Sequence, residues 1–482
     1  MYRPKFKSVF ALLTLLFSQV VWSQPFEGLS EAIERGEFGS LKSVLVSQHG
    51  EVLYEEYFRG AQPGDLQVMN SVTKSVGSAL IGIAHRQGKL QLGQNLEYFF
   101  GDRYPMLSTL FRDKRMITAE HVLQQRHGIE WDEWSVDYGD PSNPTYEMIV
   151  SNDWYHYVLS RPIDSAPGET FAYSTGASTL MSRMVRIATG MGPHEFAVQE
   201  LFGPLGINHV HWEGSDGQGG GNGFTNWPNP DHDPSLGYSL WLRPSDMLKL
   251  GELYLNRGEY SGRRILDRSW VEASTVPYSN PTNSEYFADR PGSGYGYQWW
   301  VLNLTDGHDR AWPGFYASGW GRQHILVFPD LDLVVVSTAD DYDYDGPGIG
   351  SILRTVILPE LSPALDNRFD GAWYDPDTDG QGLTLEVLDE GQRLIGFWYT
   401  YGQDGGRRWF TFDGEIEGSE AEVTILETSG GVFLQGDPVE RAEWGRGRFS
   451  VVDCNNLQFD IDAEEVLATV PLFRLTGSCV RP

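Results

Sequence analysis

A chain of 482 residues is longer than one hydrophobic core usually serves, so two folded units are expected. Its 66 acidic against 36 basic side chains leave a net charge of −30. Such a surface repels phosphate backbones and anionic lipid headgroups, which argues against nucleic acid as a partner.

In chain order, Arg3, Lys5 and Lys7 precede the apolar run Val9 to Val21, which ends in Val21-Trp22-Ser23. This reads as a secretory signal peptide over residues 1–23, with cleavage after Ser23. The run is short for a membrane span and no later one reaches spanning length. The mature protein is therefore expected to be soluble and exported, to a periplasm or the medium.

Ser43 to Val46 and Val52 to Phe58 read as a hairpin through His49-Gly50. Ser71 to Gln87 reads as a helix stopped by Gly88, its apolar positions Val72, Val76, Leu80 and Ala84 recurring at helical spacing. Further helices are expected over Ala119 to Gln125, Ala177 to Ala188, Pro193 to Leu201 and Pro244 to Asn256. Gly214 to Pro234 is a long loop, whereas Tyr295 to Leu304 and His324 to Ser337 have strand character. A seam near Leu358 to Gly371 separates a first domain, 24–363, from a second, 368–482. The second consists of short alternating runs punctuated by glycine, the pattern of an all-β barrel or sandwich. Its two cysteines, Cys454 and Cys479, are the only ones in the chain, and export makes a mutual disulfide the natural pairing, worth roughly 3 kcal/mol by loop closure.

Three segments carry residue types that suit acyl transfer. Ser71-Val72-Thr73-Lys74 sets a hydroxyl and an amine three residues apart at a helix start, on one helical face. Serine needs an adjacent base, and lysine serves only where burial or a nearby cation depresses its pKa. Tyr173 follows the Pro167-Gly168 turn, and a phenol beside a lysine can relay protons, the cation favouring phenolate. Ala317-Ser318-Gly319-Trp320-Gly321-Arg322-Gln323 is small-residue backbone that can approach a substrate and offer an N–H to an oxyanion.

In this order and spacing the three segments resemble the signature of the serine β-lactamase and penicillin-binding-protein superfamily. Val68-Met69-Asn70, His127-Gly128-Ile129, Phe202-Gly203-Pro204, Arg243-Pro244-Ser245-Asp246 and Phe328-Pro329-Asp330 extend the likeness over about Leu41 to Thr338. The class C-like branch, with its 6-aminohexanoate-dimer hydrolases and esterases, is most similar. The resemblance implies an α+β fold, an antiparallel sheet flanked by helices plus a helical subdomain, followed here by the small all-β domain. It also implies Ser71 as nucleophile, Lys74 and Tyr173 as proton carriers, and the backbone N–H groups of Ser71 and Trp320 as an oxyanion hole. Ser318, Gly319 and Trp131 would contact the substrate, a small or peptide-like ester or amide, and no cofactor or metal is implied.

Two departures bear on substrate. Ala317 stands where many relatives place a lysine or histidine, so a cation for a substrate carboxylate is missing, and Thr175 replaces an asparagine that would grip an amide. Trp131, Trp134, Trp154 and Trp320 are candidates for an aromatic pocket. Asp375 to Glu386 matches a calcium loop in spacing, yet its flanks read as strand; His209, His211 and Glu213 alternate on one strand face but lack a further ligand nearby. A catalytically silent protein binding cell-wall peptide or glycan on the same fold is the competing function. The C-terminal domain resembles a β-rich module appended to exported bacterial proteins, through Gly371-Ala372-Trp373-Tyr374, Gly380-Gln381-Gly382 and Trp398-Tyr399-Thr400-Tyr401.

Overall fold

The computed structural model describes residues 26, 28–105, 112–213, 233–279, 292–305, 311–344, 346–361, 365–388, 392–402, 404–430, 439–453, 456–463 and 466–476. The expected signal peptide, Cys454, Cys479 and most of the Gly214 to Pro234 loop lie outside them. Among the described residues no helix is long and apolar enough to cross a membrane.

Leu41–Gln48 (β1) and Glu51–Tyr57 (β2) form the expected hairpin, turning on His49 and Gly50, both at positive φ. Gly294–Tyr295 (β3), Trp300–Thr305 (β4), Ala311–Gly319 (β5), Gln323–Phe328 (β6) and Leu333–Ala339 (β7) join them in one antiparallel sheet of seven strands, ordered β2-β1-β7-β6-β5-β4-β3. Two stretches that read as single strands are pairs. Gln298, at φ 61°, turns the chain between β3 and β4. Pro329, which cannot donate to a ladder, begins the turn Pro329–Leu331 between β6 and β7, and Asp332 completes it at φ 49°.

Pairing of β1 with β7 brings the two ends of this domain together, so the helices between them are an insertion packed on one sheet face. Alternation sends Leu45, Val334 and Val336 to that face, and Val44, Val46, Leu333 and Val335 to the other. Leu29–Glu34 and the helical run 348–361 cover the second face through Leu29, Ile33, Ile352 and Ile357. Val72–Arg86 (α1) is buried from Val72 to Ala84 on every side, which makes it the axis of the helical layer rather than an amphipathic cover. Thr175–Thr189 (α2) packs beside it, and Pro244–Leu255 (α3) lies on β6 and β7. Gly251 permits that last contact: a Cβ there would sit 2.4 Å from Val334.

The C-terminal domain is a closed, antiparallel, eight-stranded barrel. Its strands are Gly371–Tyr374 (β8), Gly382–Leu388 (β9), Arg393–Tyr401 (β10), Arg407–Glu417 (β11), Glu420–Gly430 (β12), Val439–Asp453 (β13), Asn456–Ala463 (β14) and Val466–Arg474 (β15). Closure comes from Trp373 and Tyr374 pairing with Arg474 and Phe473, which removes open sheet edges. The longest strand, β13, is hidden in the sequence by Glu440, Arg441, Glu443, Arg446 and Arg448, whose charges mask the alternation. Leu365 and Phe369 already belong to the barrel core, whose centre is the stacked pair Phe449 and Phe459, with ring centroids 4.1 Å apart. Phe449→Ala is expected to destabilise the barrel by about 3–5 kcal/mol in urea unfolding, and a loss under about 1 kcal/mol would show that this pair does not carry the core.

Candidate active site

Ser71 follows the short strand Gln67–Val68 and a turn at Asn70, whose φ of 45° an asparagine tolerates. It is the N-cap of α1, yet its hydroxyl makes no capping bond to the helix. Instead that hydroxyl accepts from Lys74 Nζ at 2.8 Å, one turn along the same face. Because α1 is enclosed on all sides, Lys74 is only 1% exposed. Its Nζ meets two further acceptors, Thr175 Oγ1 at 3.0 Å and the Gly237 carbonyl at 2.9 Å. Burial draws its pKa down to about 8, against the opposing charge of Glu133. Among the described residues no carboxylate is in ion-pair contact with the amine.

The segment before α2 is held by a neutral histidine. Burial lowers the His127 pKa to about 4, and its Nδ1 accepts from the Ile129 N–H at 3.0 Å. Nε2 therefore carries the proton and donates to the Ala172 carbonyl at 3.0 Å. Gln125 clamps both sides of Tyr173, its carbonyl accepting from Ala172 N at 2.8 Å and its Oε1 from Ser174 N at 2.5 Å. So fixed, Tyr173 stands beside Ser71 in the wall of one cleft, and its ring stacks on Trp134 and Trp300. The expected phenolate is corrected here. Lys74 Nζ lies over the ring, 4.7 Å from its centroid. Burial first, and the Glu133 charge second, raise the phenol pKa, outweighing the opposite pull of the nearby Ser71 hydroxyl.

The third segment is the end of β5 rather than a free turn. A Cβ on Gly319 would stand 2.2 Å from the Met69 carbonyl oxygen and 3.3 Å from Ser71 N, so only glycine lets this strand reach the serine. Asn70 Nδ2 donates to the Trp320 carbonyl at 2.6 Å, tying the two backbones together. Beyond them Arg322, buried and paired with Asp341 at 3.0 Å, anchors the turn. Ala317 packs into the core.

Ser71 opens on two clefts. One, of about 1010 Å³, includes Trp134, Tyr173, Ser318, Gly319 and Trp320 in its walls. The other, of about 450 Å³, is walled mainly by apolar and aromatic groups such as Val68, Ile149, Trp154 and Tyr238. Trp131 lines neither; it is buried in the wall of an adjoining cavity of about 610 Å³ that shares Trp134 and Tyr173 with the wide cleft, and it donates to Glu133 Oε2 at 2.5 Å. Its expected substrate contact is thus replaced by a bond within the protein.

Glu133 is the residue that sequence reasoning missed. It is 2% exposed and accepts from Trp131 Nε1, Tyr138 Oη (2.8 Å), Thr145 Oγ1 (2.9 Å), Thr175 N (2.7 Å) and Thr175 Oγ1 (2.8 Å). Its neighbours Glu130 and Asp132 are exposed acids, so nothing local distinguishes it. Thr175, read as the loss of an amide, is the link between this carboxylate and Lys74.

Glu213 is also buried, but accepts from Trp241 Nε1 at 3.0 Å, and no described cluster of three or more His, Cys, Asp or Glu is arranged for a metal. The Asp375 loop joins two strands, with Asp375 Oδ1 accepting from Asp377 N at 3.0 Å in a turn, not a helix-loop-helix. A hydroxyl bonded to a pKa-depressed amine, with a neutral phenol and strand-end backbone beside it, is equipped for acyl transfer. Gly319→Ala is therefore expected to lower ester turnover by about a hundredfold or more, and turnover within about threefold of the parent would show that the close approach is dispensable. To act as a base toward Ser71 the amine would have to be neutral, so kcat/KM is expected to rise with pH through about 8 and fall below it. A flat profile across that range would remove the amine from the reaction.

A family model described as beta-lactamase matches residues 35–346. A 6-aminohexanoate-dimer hydrolase of Paenarthrobacter ureafaciens is 25% identical over 353 residues, covering 70% of this chain and 82% of that protein. Among solved structures, the octameric penicillin-binding protein homologue of Pyrococcus abyssi aligns with a TM-score of 0.51 at 15% identity, over 92% of this chain and 98% of its own. EstCE1, a hydrolase with promiscuous acyltransferase activity, aligns with a TM-score of 0.50 at 17% identity, over 68% and 94%. These likenesses share a fold, and the family model spans the sheet and its helical layer; the chain belongs to the beta-lactamase family, as a hydrolase of that fold that also carries a β-barrel domain.

Proposed function

We propose that the protein is an exported serine hydrolase that cleaves esters or linear amides through an acyl-enzyme on Ser71. The observation that carries this reading is the Lys74 to Ser71 hydrogen bond inside a buried, carboxylate-free contact shell. Ser71 attacks the carbonyl carbon while its proton passes to Lys74, the group whose burial favours the neutral amine. Tyr173, kept as a neutral phenol, hands its proton to the leaving group, and the proton held by the Lys74 ammonium returns to the phenolate through water once the leaving group departs. The N–H groups of Ser71 and Trp320 hold the oxyanion, and water completes the cycle. Residues 1–23 supply the export signal.

The clefts favour an apolar acyl group in the narrow pocket and a neutral or cationic leaving group in the wide one. The wide cleft carries Asp132, Asp137 and Asp343, and among the described residues no lysine, arginine or histidine lines it. The Ser135 hydroxyl and nearby N–H groups hold the Asp132 carboxyl below its usual range, which keeps it charged. Carboxylate-bearing β-lactams are disfavoured by the same field. The name of the Paenarthrobacter relative supports linear amides as part of the range.

Ser71→Ala is expected to abolish covalent labelling by a fluorophosphonate, and labelling retained at the active site would overturn the assignment. Of two matched esters, one ending in a quaternary ammonium and one in a carboxylate, the cation is expected to be favoured about tenfold or more in kcat/KM at low salt, with the gap closing as salt rises. Equal turnover of both would refute the charge selection.

A further inference from the structure

Glu133 has no place in the proton transfers above, yet it gathers more hydrogen bonds than any of the groups that do. We propose that Glu133 is a positioning residue that, through the Thr175 hydroxyl, aims the lone pair of the neutral Lys74 amine at Ser71. The inference rests on the serine-hydrolase reading.

It follows from counting protons. Thr175 Oγ1 has a single proton and spends it on Glu133 Oε1 at 2.8 Å, since a carboxylate can only accept. The same oxygen can then only accept from Lys74, at 3.0 Å. The Gly237 carbonyl, at 2.9 Å, is likewise an acceptor and nothing else. A neutral amine has two protons, and both are claimed by these obligate acceptors. Its lone pair is left for the third partner, Ser71, the one neighbour that can donate. The Ser71 O–H bond then breaks, its proton becomes the third N–H of Lys74, and the oxygen electron pair goes to the acyl carbon. Without Glu133, the Thr175 hydroxyl is free to turn its proton toward the amine and occupy the lone pair.

The carboxylate is itself immobilised. Trp131, Thr145 and the Thr175 N–H hold Oε2, leaving Oε1 for Thr175 Oγ1 and Tyr138. The ionisable groups facing the amine are Glu133, which acts on it by charge, and Tyr173, whose ring it overlies, with Tyr138, Tyr295, Tyr316 and Tyr344 around that phenol. Glu133 is the one carboxylate of this set, so it also opposes the effect of burial on Lys74.

The test follows the rate of Ser71 modification by a fluorophosphonate, read by intact mass across the neutral to alkaline range. Thr175→Val is expected to slow modification about a hundredfold, and Thr175→Ser to stay within about threefold of the parent. Glu133→Gln is expected to react more slowly and to have its acid limb displaced to lower pH, because the charge that sustains the lysine proton is gone. Parent-like rates in Thr175→Val, a Thr175→Ser variant as slow as the valine, or an unmoved acid limb in a folded Glu133→Gln would overturn the proposal. Should Glu133→Gln not fold by circular dichroism, the threonine pair alone decides. Parent protein that is not modified at Ser71 at all would sink the serine-hydrolase reading first, which separates the two failures.

Discussion

An ammonium group with no access to water constrains this hydrolase domain more than any other feature. Withdrawing such a charge costs several kcal/mol unless every N–H finds an acceptor. Lys74 finds three, and each arrives from a different part of the chain: Ser71 from its own helix, Thr175 from the start of α2, Gly237 from the strand-side loop beyond residue 233. The helical layer can close around α1 only in the arrangement that brings these three together. Packing and reactivity are therefore one problem here, because the burial that demands the acceptors also depresses the amine.

A second constraint is steric. The end of β5 touches the backbone before α1 so closely that Gly319 has no room for a methyl group. The sheet thereby fixes where Ser71 stands relative to the backbone of Trp320, while Asn70 ties the two segments by a side-chain bond. On the opposite side the Tyr173 ring packs with Trp134 and Trp300 in one aromatic cluster and is carried by a neutral His127 and by Gln125. Each group that meets Ser71 is thus held by an element of its own, and none relies on a free loop.

Charge is distributed in the same sense. The protein is strongly acidic, and the wide cleft continues that character to the edge of the site. Inside, one carboxylate is retained, saturated by donors from Trp131, Tyr138, Thr145 and Thr175, and kept one hydroxyl away from the amine. Direct contact would have made an ion pair and held the proton on the amine more firmly. The barrel takes no visible part in this chemistry; its closed ladder and aromatic interior account for it as a folded unit in its own right.

The residues themselves determined a good deal. Helical spacing placed Ser71 and Lys74 on one face, glycine stops ended α1 and α2, and alternation revealed most of the barrel strands, since each of these depends on neighbours within a few positions. β13 escaped because its outward charges and glycines hide a period that only pairing on both sides reveals. The protonation state of Tyr173, the burial of Trp131 and the existence of Glu133 as part of the site were decided by tertiary structure alone. Desolvation and a hydrogen-bond partner from a remote segment set all three, and neither quantity is local to the chain.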